Sequence, residues 1–382
     1  MINYARQDIT QDDIDAVVAT LQSDLLTQGP VVPAFESSVA RAAGADHAVA
    51  VNSATNALHI ACLALGLGPG DWLWTSPITF VASANCALYC GAKVDFVDID
   101  PASYNLSVPE LERKLQIAER EGRLPKVVVP VHFCGQPCDM EGIAELARRY
   151  RFKVIEDASH AIGGRYRDGP IGDGRYSDIT IFSFHPVKII TTGEGGMAVT
   201  NEEALATKMR LLRSHGITRD AALMTGPSEG RWYYQQTDLG FNYRMTEMQA
   251  ALGVSQMDRL DSYVARRHVL ARRYDALLAD LPLLRPAQTG GSYSALHLYP
   301  VRVAADSRHR IFESLWCSGI AANVHYIPVH LQPWYRAMGF EPGDFPEAER
   351  YYAEAISLPL YPTMTEAQQD EVVTALRKAL SA

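Results

Sequence analysis

The feature that most constrains the fold is an alternation that runs through residues 1–280. Short apolar runs of strand length are separated there by amphipathic stretches of helical length. This order is typical of crossover units, in which a helix connects two parallel strands. We therefore predict an α/β fold with a mostly parallel central sheet and helices on both faces.

The predicted strands of this sheet cover residues 48–51, 72–75, 94–97, 127–131, 153–156, 179–184 and 197–200. The predicted helices cover residues 11–23, 56–65, 108–119, 140–150 and 202–214, and a long helical pattern runs from 246 to 278. Prolines and glycines between 282 and 291 then end the helical pattern, and the sequence after them has a different alternation of predicted elements. We predict a large domain at 1–280 and a smaller α+β domain at 281–382, with a strand at 297–303, a helix at 307–317 and a strand end at 323–326.

Composition excludes several classes of protein. With 35 basic and 44 acidic residues the net charge is −9, so the chain lacks the basic character that nucleic acids or anionic membranes attract. The N-terminal segment has no apolar signal-peptide core, and no apolar run reaches the ~18 residues of a membrane span. We expect a cytoplasmic protein with no nucleic-acid or membrane partner. The six cysteines lack zinc-knuckle spacing, so we interpret them as reduced packing thiols and expect no metal.

Lys188 is the most informative single residue for chemistry. It follows the apolar run 179–184, which is typical of a buried strand, and Asp157 follows another such strand. A lysine near a glycine-rich turn is most often a solvated surface residue. Held together at a buried edge, however, an amine and a carboxylate suit pyridoxal phosphate (PLP), because the amine can form a Schiff base and the carboxylate can keep the pyridine nitrogen protonated.

Other residues fit the same cofactor. Ala54 and Thr55 open a helix whose N-terminus could bind a phosphate, and Ser183 offers a second hydroxyl. The alternative for this segment is a simple helix cap. Phe80 could stack on a flat ring, and His160 could donate to a phenolic oxygen, although both residue types also occur as ordinary core. Nucleotide fingerprints of the G-x-G-x-x-G or G-x-x-x-x-G-K-[ST] type are absent, which argues against nicotinamide or ATP chemistry.

Together these motifs resemble the DegT/DnrJ/EryC1/StrS sugar aminotransferases, which have the PLP-dependent transferase fold type I. The resemblance covers nearly the whole chain. Its motifs are Thr27-Gln28-Gly29-Pro30, Asn52-Ser53-Ala54-Thr55, Glu156-Asp157-Ala158-Ser159-His160-Ala161, Ser183 to Lys188, and Gly240-Phe241-Asn242-Tyr243-Arg244-Met245. A finer likeness to the enzymes that aminate C4 of a UDP-linked ketosugar for pseudaminic acid rests on segments 183–196, 297–300 and 323–330.

The resemblance implies a role for each matching residue. Lys188 is the Schiff-base lysine, Asp157 is the pyridine partner, and Phe80 is the ring stacker, in a slot where relatives often carry Trp or Tyr. Ala54, Thr55 and Ser183 hold the phosphate, and Asn242 reaches it from the neighbouring subunit of a homodimer. The candidates for sugar, nucleotide or other substrate contacts are Tyr4, Thr27, His185, Asn323, His325 and Tyr326. An ordinary role in turns or domain packing is the alternative for several of these.

The implied reaction transfers an amino group from L-glutamate to C4 of a UDP-linked 4-keto-6-deoxy-N-acetylhexosamine. A bacillosamine-type or other nucleotide-sugar aminotransferase is the nearest alternative. Dehydratases of the family carry His in place of the lysine, so Lys188 favours amino transfer over dehydration. A non-catalytic PLP-fold partner protein is a further alternative, which the complete set of cofactor residues disfavours.

Overall fold

A computed structural model describes residues 1–381. Its α-helices are α1 (Gln11–Leu21), α2 (Val31–Ala43), α3 (Ala54–Ala64), α4 (Ala82–Tyr89), α5 (Val108–Glu121), α6 (Met140–Tyr150), α7 (Glu203–Arg213), α8 (Glu247–Met257), α9 (Leu260–Leu277), α10 (Ala305–Cys317), α11 (Pro333–Arg336), α12 (Pro346–Glu354) and α13 (Glu366–Ser381). Its strands are β1 (Ile2–Asn3), β2 (His47–Val51), β3 (Trp72–Thr75), β4 (Lys93–Phe96), β5 (Val127–Val129), β6 (Lys153–Asp157), β7 (Arg165–Tyr166), β8 (Gly169–Pro170), β9 (Ile179–Ser183), β10 (Gly196–Thr200), β11 (Ile217–Thr218), β12 (Gln235–Gln236), β13 (Ser292–Tyr293), β14 (Tyr299–Arg302), β15 (Ile320–Ala321) and β16 (Ala355–Leu358).

Seven of these strands form the central sheet, in the order β2-β10-β9-β6-β5-β3-β4. Only β10 runs antiparallel to its neighbours, and the other pairs are parallel. The three valines of β5 are fully buried, as expected for a central strand covered on both faces. The prediction of a mostly parallel sheet is confirmed.

Helices cover both faces of the sheet because side chains along each strand alternate between two apolar clusters. In β2, Val49 and Val51 belong to a cluster with residues of α3, α4 and α7. Ala48 and Ala50 point the other way, into a cluster with residues of α2, α5 and α6. Capping residues fix the ends of several helices: Ser53, for example, accepts a hydrogen bond from the Asn56 amide at the start of α3.

The structure differs from the sequence prediction in two segments outside the sheet. The long helical pattern 246–278 is two helices, α8 and α9, because the chain turns at Asp258 and Arg259. There the Arg259 guanidinium binds the buried carboxylate of Asp13 in α1 at 2.6 Å. The predicted strand end at 323–326 is irregular chain. Asn323 forms a single bridge with Ser357, and the regular strand is β15, which pairs with β1.

The C-terminal part is built around the antiparallel pair β14 and β16, with α10 and α13 packed together. Its apolar cluster also takes in Leu270 and Tyr274 of α9. We propose that the boundary between the two domains falls near residue 280, at the end of α9. Among residues 1–381, no helix has both the length and the apolar character that crossing a membrane requires.

Candidate active site

A cavity of ≈ 710 Å³ lies where β6 and β9 end, next to the start of α3. Ligand sites in such sheets commonly lie beyond the carboxyl ends of the parallel strands, and the volume is typical of small-molecule sites. Most of the residues predicted from the sequence meet there. The cavity is lined by Tyr4, Ala54, Thr55, Phe80, Asp157, His160, Ser183, His185, Lys188, Asn323, His325 and Tyr326, among others.

Lys188 lies in a turn just after β9, and its amide donates to the carbonyl oxygen of His185 at 2.9 Å. Burial lowers the pKa of the Lys188 amine to about 8, while the charge of Asp157 and the thiol of Cys134 partly oppose this shift. An amine with a pKa of about 8 is uncharged in roughly a tenth of molecules at about pH 7, far more than an ordinary lysine. It can therefore act as a nucleophile or as a base.

Asp157 is the last residue of β6 and is 4 % exposed. Its Oδ2 accepts a hydrogen bond of 2.6 Å from the Ser83 hydroxyl, and its Oδ1 accepts one of 3.1 Å from the Ser159 amide. The main chain is held as well, since the amide of Asp157 donates to the carbonyl oxygen of Pro130. The carboxylate is thus held in one orientation where it lines the cavity.

The N-terminus of α3 faces the same cavity. Ser53 caps the helix, so the amides of Ala54 and Thr55 lie in the first turn, where backbone donors lack partners within the helix. The chain is tightly packed behind this turn: a Cβ added at Gly196 of β10 would lie 2.5 Å from the amide nitrogen of Ala54. The sequence allowed two interpretations of this segment, a helix cap and an anion site. They are compatible, because the cap leaves the amides of Ala54 and Thr55 open to the cavity.

Aromatic residues form another wall. Phe80 is 59 % exposed although it lies beside the cavity, so its ring is available for stacking on a ligand. The ring centroids of Phe80 and Tyr326 are 6.3 Å apart, and the Tyr326 hydroxyl lies 3.2 Å from Nε2 of His160. Burial, followed by the nearby charge of Lys188, holds the pKa of His160 well below its ordinary value. His160 is therefore a neutral imidazole.

A polar network around His325 also lines the cavity. His325 lies between the amide nitrogen of Asn323, 3.3 Å from its Nε2, and the Ser357 hydroxyl, 2.8 Å from its Nδ1. Burial and the charge of Lys188 lower the pKa of His325 to about 3, so this imidazole is also neutral. The ring of Tyr4 packs against it with centroids 5.1 Å apart. The two neutral histidines therefore line the cavity without adding charge to it.

Two predicted residues lie outside the cavity. Thr27 is exposed in the irregular segment between α1 and α2. Asn242 is also exposed and forms a single bridge with Ser214. A place for Asn242 in the site of a neighbouring subunit stays a prediction.

Ser83, Thr79 and Ser159 contribute to the site and were missed by the sequence analysis. Thr79 and Ser83 line the cavity, four residues apart, and their hydroxyl oxygens are 2.7 Å apart. This spacing of two hydroxyls across the start of α4 was the one available signal. Among residues 1–381, no group of three or more His, Cys, Asp or Glu side chains is arranged to hold a metal ion.

The sequence matches the DegT/DnrJ/EryC1/StrS aminotransferase family over residues 7–377. Spore coat polysaccharide biosynthesis protein SpsC of Bacillus subtilis is 41% identical over 381 residues, covering 98% of this chain and 96% of the relative. GDP-perosamine synthase of Caulobacter vibrioides is 36% identical and covers 99% and 98%. UDP-4-amino-4,6-dideoxy-N-acetyl-beta-L-altrosamine transaminase of Campylobacter jejuni is 36% identical and covers 95% and 93%.

Solved structures agree over the full length. Helicobacter pylori PseC, described as an aminotransferase of pseudoaminic acid biosynthesis, aligns with a TM-score of 0.91 and 30% identity, covering 100% of this chain and 99% of the other. The sugar aminotransferase Spr1654 of Streptococcus pneumoniae in its PLP form aligns with a TM-score of 0.91 and 29% identity, covering 100% and 98%. The expected fold type I of PLP-dependent transferases is confirmed.

The cavity fits PLP by its donor set. It offers an amine of lowered pKa at Lys188, a carboxylate held by two donors at Asp157, open helix amides at Ala54 and Thr55, and an exposed aromatic face at Phe80. These groups match, in turn, the aldehyde, the pyridine nitrogen, the phosphate and the ring face of the cofactor. The chain belongs to the DegT/DnrJ/EryC1/StrS aminotransferase family and is a PLP-dependent sugar aminotransferase.

Proposed function

We propose that the chain transfers an amino group from L-glutamate to C4 of a UDP-linked 4-keto-6-deoxy-N-acetylhexosamine. The specific acceptor is UDP-2-acetamido-2,6-dideoxy-β-L-arabino-hexos-4-ulose, an intermediate on the way to pseudaminic acid. The working unit is a homodimer in the cytoplasm. The observation that carries the proposal is the low-pKa amine of Lys188, which lies in one cavity with Asp157 and the open end of α3.

The choice of sugar is supported by two relatives. The Campylobacter transaminase is named for the 4-amino-4,6-dideoxy sugar that this reaction would form, and the Helicobacter structure is named for the same pathway. The chain resembles both over 95% or more of its length. A GDP-sugar acceptor is the second candidate, because the Caulobacter GDP-perosamine synthase is equally similar at 36% identity.

Each residue of the proposed site acts on a defined group. When bound, PLP supplies an electron sink and carries the amino group between donor and acceptor. Asp157 keeps the pyridine nitrogen protonated, the amides of Ala54 and Thr55 with the Ser183 hydroxyl bind the phosphate, and Phe80 packs on the ring. His160 donates to the phenolic oxygen.

Lys188 binds the cofactor covalently through Nζ and is the general base and acid of the reaction. As base and acid, the uncharged amine would take the proton from the donor's α-carbon and later give it back, while PLP would supply the electron sink that makes this proton transfer possible. The acceptor sugar follows the same path in reverse. Because donor and acceptor use one cavity in turn, we expect ping-pong kinetics.

Substrate contacts are proposed for Tyr4, Thr27, His185, Asn323, His325 and Tyr326. His325 would act by holding Asn323 in place, because Asn323 and Ser357 already occupy both of its ring nitrogens. A site of this kind rejects a wrong epimer strongly, since the wrong hydroxyl geometry leaves buried donors unpaired.

The experiment converts UDP-N-acetylglucosamine with two 4,6-dehydratases, one inverting and one retaining at C5, and offers each product with glutamate. A GDP-linked 4-keto-6-deoxyhexose serves as a third acceptor. We expect a new C4 amine on the C5-inverted L-arabino ketosugar. Amination of the C5-retained D-xylo ketosugar alone would replace this proposal with a bacillosamine-type enzyme. Amination of the GDP-sugar alone would make the second candidate correct.

A further inference from the structure

Ser83 holds the carboxylate of Asp157 from a different element. It lies in the first turn of α4, is completely buried, and donates from Oγ to Oδ2 of Asp157 at 2.6 Å. The Ser159 amide binds the other oxygen, Oδ1, at 3.1 Å. Donors on both oxygens fix the plane of the carboxyl group, which rotates easily when only one is present.

The direction of the hydrogen bonds is determined by the chemistry of the three groups. A carboxylate only accepts hydrogen bonds, so Ser83 must donate its hydroxyl proton to Asp157. The oxygens of Thr79 and Ser83 are 2.7 Å apart, and Ser83 has no second proton to give. Thr79 therefore donates to Ser83. A donor that is itself hydrogen-bonded in this way is polarised and binds its acceptor more strongly.

The same turn carries Phe80. The Ser83 amide donates to the carbonyl oxygen of Phe80 at 3.2 Å, and Thr79 directly precedes Phe80. The hydroxyl pair thus connects the segment that carries Phe80 to the carboxylate of Asp157. A movement of the Phe80 segment would therefore disturb the Asp157 carboxylate, and a movement of the carboxylate would disturb that segment.

We propose that Ser83, oriented by Thr79, is a positioning residue that aims the carboxylate of Asp157 at the pyridine nitrogen of PLP. The proposal rests on the role proposed above for Asp157. Ser83 lines the cavity, and its proposed effect is exerted through the carboxylate of Asp157. Its effect must therefore appear only where Asp157 has a pyridine nitrogen to bind.

The test measures the dissociation constant of PLP and of 1-deaza-PLP, whose ring carries carbon in place of the pyridine nitrogen, with the full-length apoprotein. For Ser83→Ala we expect PLP to bind roughly tenfold more weakly, the usual effect of losing one hydrogen bond to a charged group. Binding of 1-deaza-PLP should be unchanged. Equal weakening for both molecules would mean that Ser83 only shapes the cavity, and would overturn the proposal.

Three further variants complete the design. Thr79→Val keeps the shape and the Ser83 bond, so PLP binding should weaken by less than about threefold. Ser83→Cys keeps the volume but is a weaker donor, and should reproduce the selective loss even if Ser83→Ala fails to fold. In an Asp157→Asn background, Ser83→Ala should have no further effect on PLP affinity.

The Asp157→Asn variant also separates the two claims. If it binds PLP and turns over like the wild type, the proposed role of Asp157 fails and the Ser83 proposal fails with it. If Asp157→Asn loses affinity for PLP while Ser83→Ala keeps wild-type affinity for it, only the Ser83 proposal fails.

Discussion

At the scale of single residues, the chemistry of this chain depends on which buried side chains stay uncharged. His160 and His325 are neutral because they are buried near Lys188, and Lys188 itself has a pKa of about 8 for the same reason. Burial penalises the charged form of each group; for the two histidines the charge of Lys188 acts in the same direction, whereas for Lys188 the charge of Asp157 partly opposes burial. The cavity therefore holds a reactive amine among imidazoles that do not compete for its proton.

This arrangement predicts how PLP attachment to the apoprotein depends on pH. Only the uncharged amine reacts, and lowering the pKa of Lys188 moves deprotonation down from the ordinary lysine range. The rate constant for attachment should rise with pH and level off above about pH 8. The visible absorption of the bound cofactor measures it, with a lysine peptide as the control. A rate constant that keeps rising as it does for the peptide would contradict the assignment.

At the scale of elements, the site depends on how closely β10 approaches the start of α3. Gly196 pairs with Val51 and with Ser183 on either side, so it lies between the two segments proposed to bind phosphate. A Cβ there would meet the backbone of Ser53 and Ala54 at 2.5 Å, which no side-chain rotation can relieve. The packing of these elements leaves room only for glycine.

We therefore expect Gly196→Ala to move the start of α3. The variant should lose about 1–3 kcal/mol of stability and bind PLP more weakly. Its affinity for pyridoxal, which has no phosphate, should change much less. Gly226→Ala is the matched control, since a Cβ at that position meets nothing within 4 Å. Thermal unfolding measures the loss of stability, and cofactor titration measures the affinities for PLP and pyridoxal. A Gly196→Ala variant with wild-type PLP affinity would show that the start of α3 does not bind the phosphate.

The elements also show what the sequence can predict. The strands at 72–75 and 153–157 were predicted closely because their apolar runs are short and bounded by polar residues. The break between α8 and α9 was missed, since the sequence has no Gly or Pro at Asp258 and Arg259, and the ion pair found there joins Arg259 to Asp13, 246 positions away. Ser83 was missed for the same reason: its partner, Asp157, is 74 positions away. Contacts of this kind leave no periodic signal in the sequence.

At the scale of the whole molecule, the site of one chain is incomplete without Asn242, if the role predicted for that residue is correct. Asn242 is exposed and follows a segment with large exposed apolar side chains, including Trp232 and Leu239. Exposed apolar surface of this kind marks a surface for another protein. We propose that a second copy of this chain covers it and receives Asn242 in its cavity.

Hybrid dimers test this proposal. Lys188→Ala and Asn242→Ala should each be inactive as pure dimers. Subunits mixed in equal amounts and allowed to exchange should recover about a quarter of wild-type activity, because half of the dimers are hybrids and each hybrid has one intact site. Recovery should be absent without exchange. A mixture that stays inactive after verified exchange would place Asn242 in the cavity of its own chain or outside the reaction.

The central claim is that Lys188 carries PLP in the cavity at the end of β9. Borohydride reduction of the purified yellow protein, followed by peptide mass analysis, tests it most directly. We predict that the added mass of the reduced cofactor appears on the peptide containing Lys188, and that Lys188→Ala protein folds but retains no reducible cofactor. Label on a different lysine, or a labelled Lys188→Ala protein, would contradict the account.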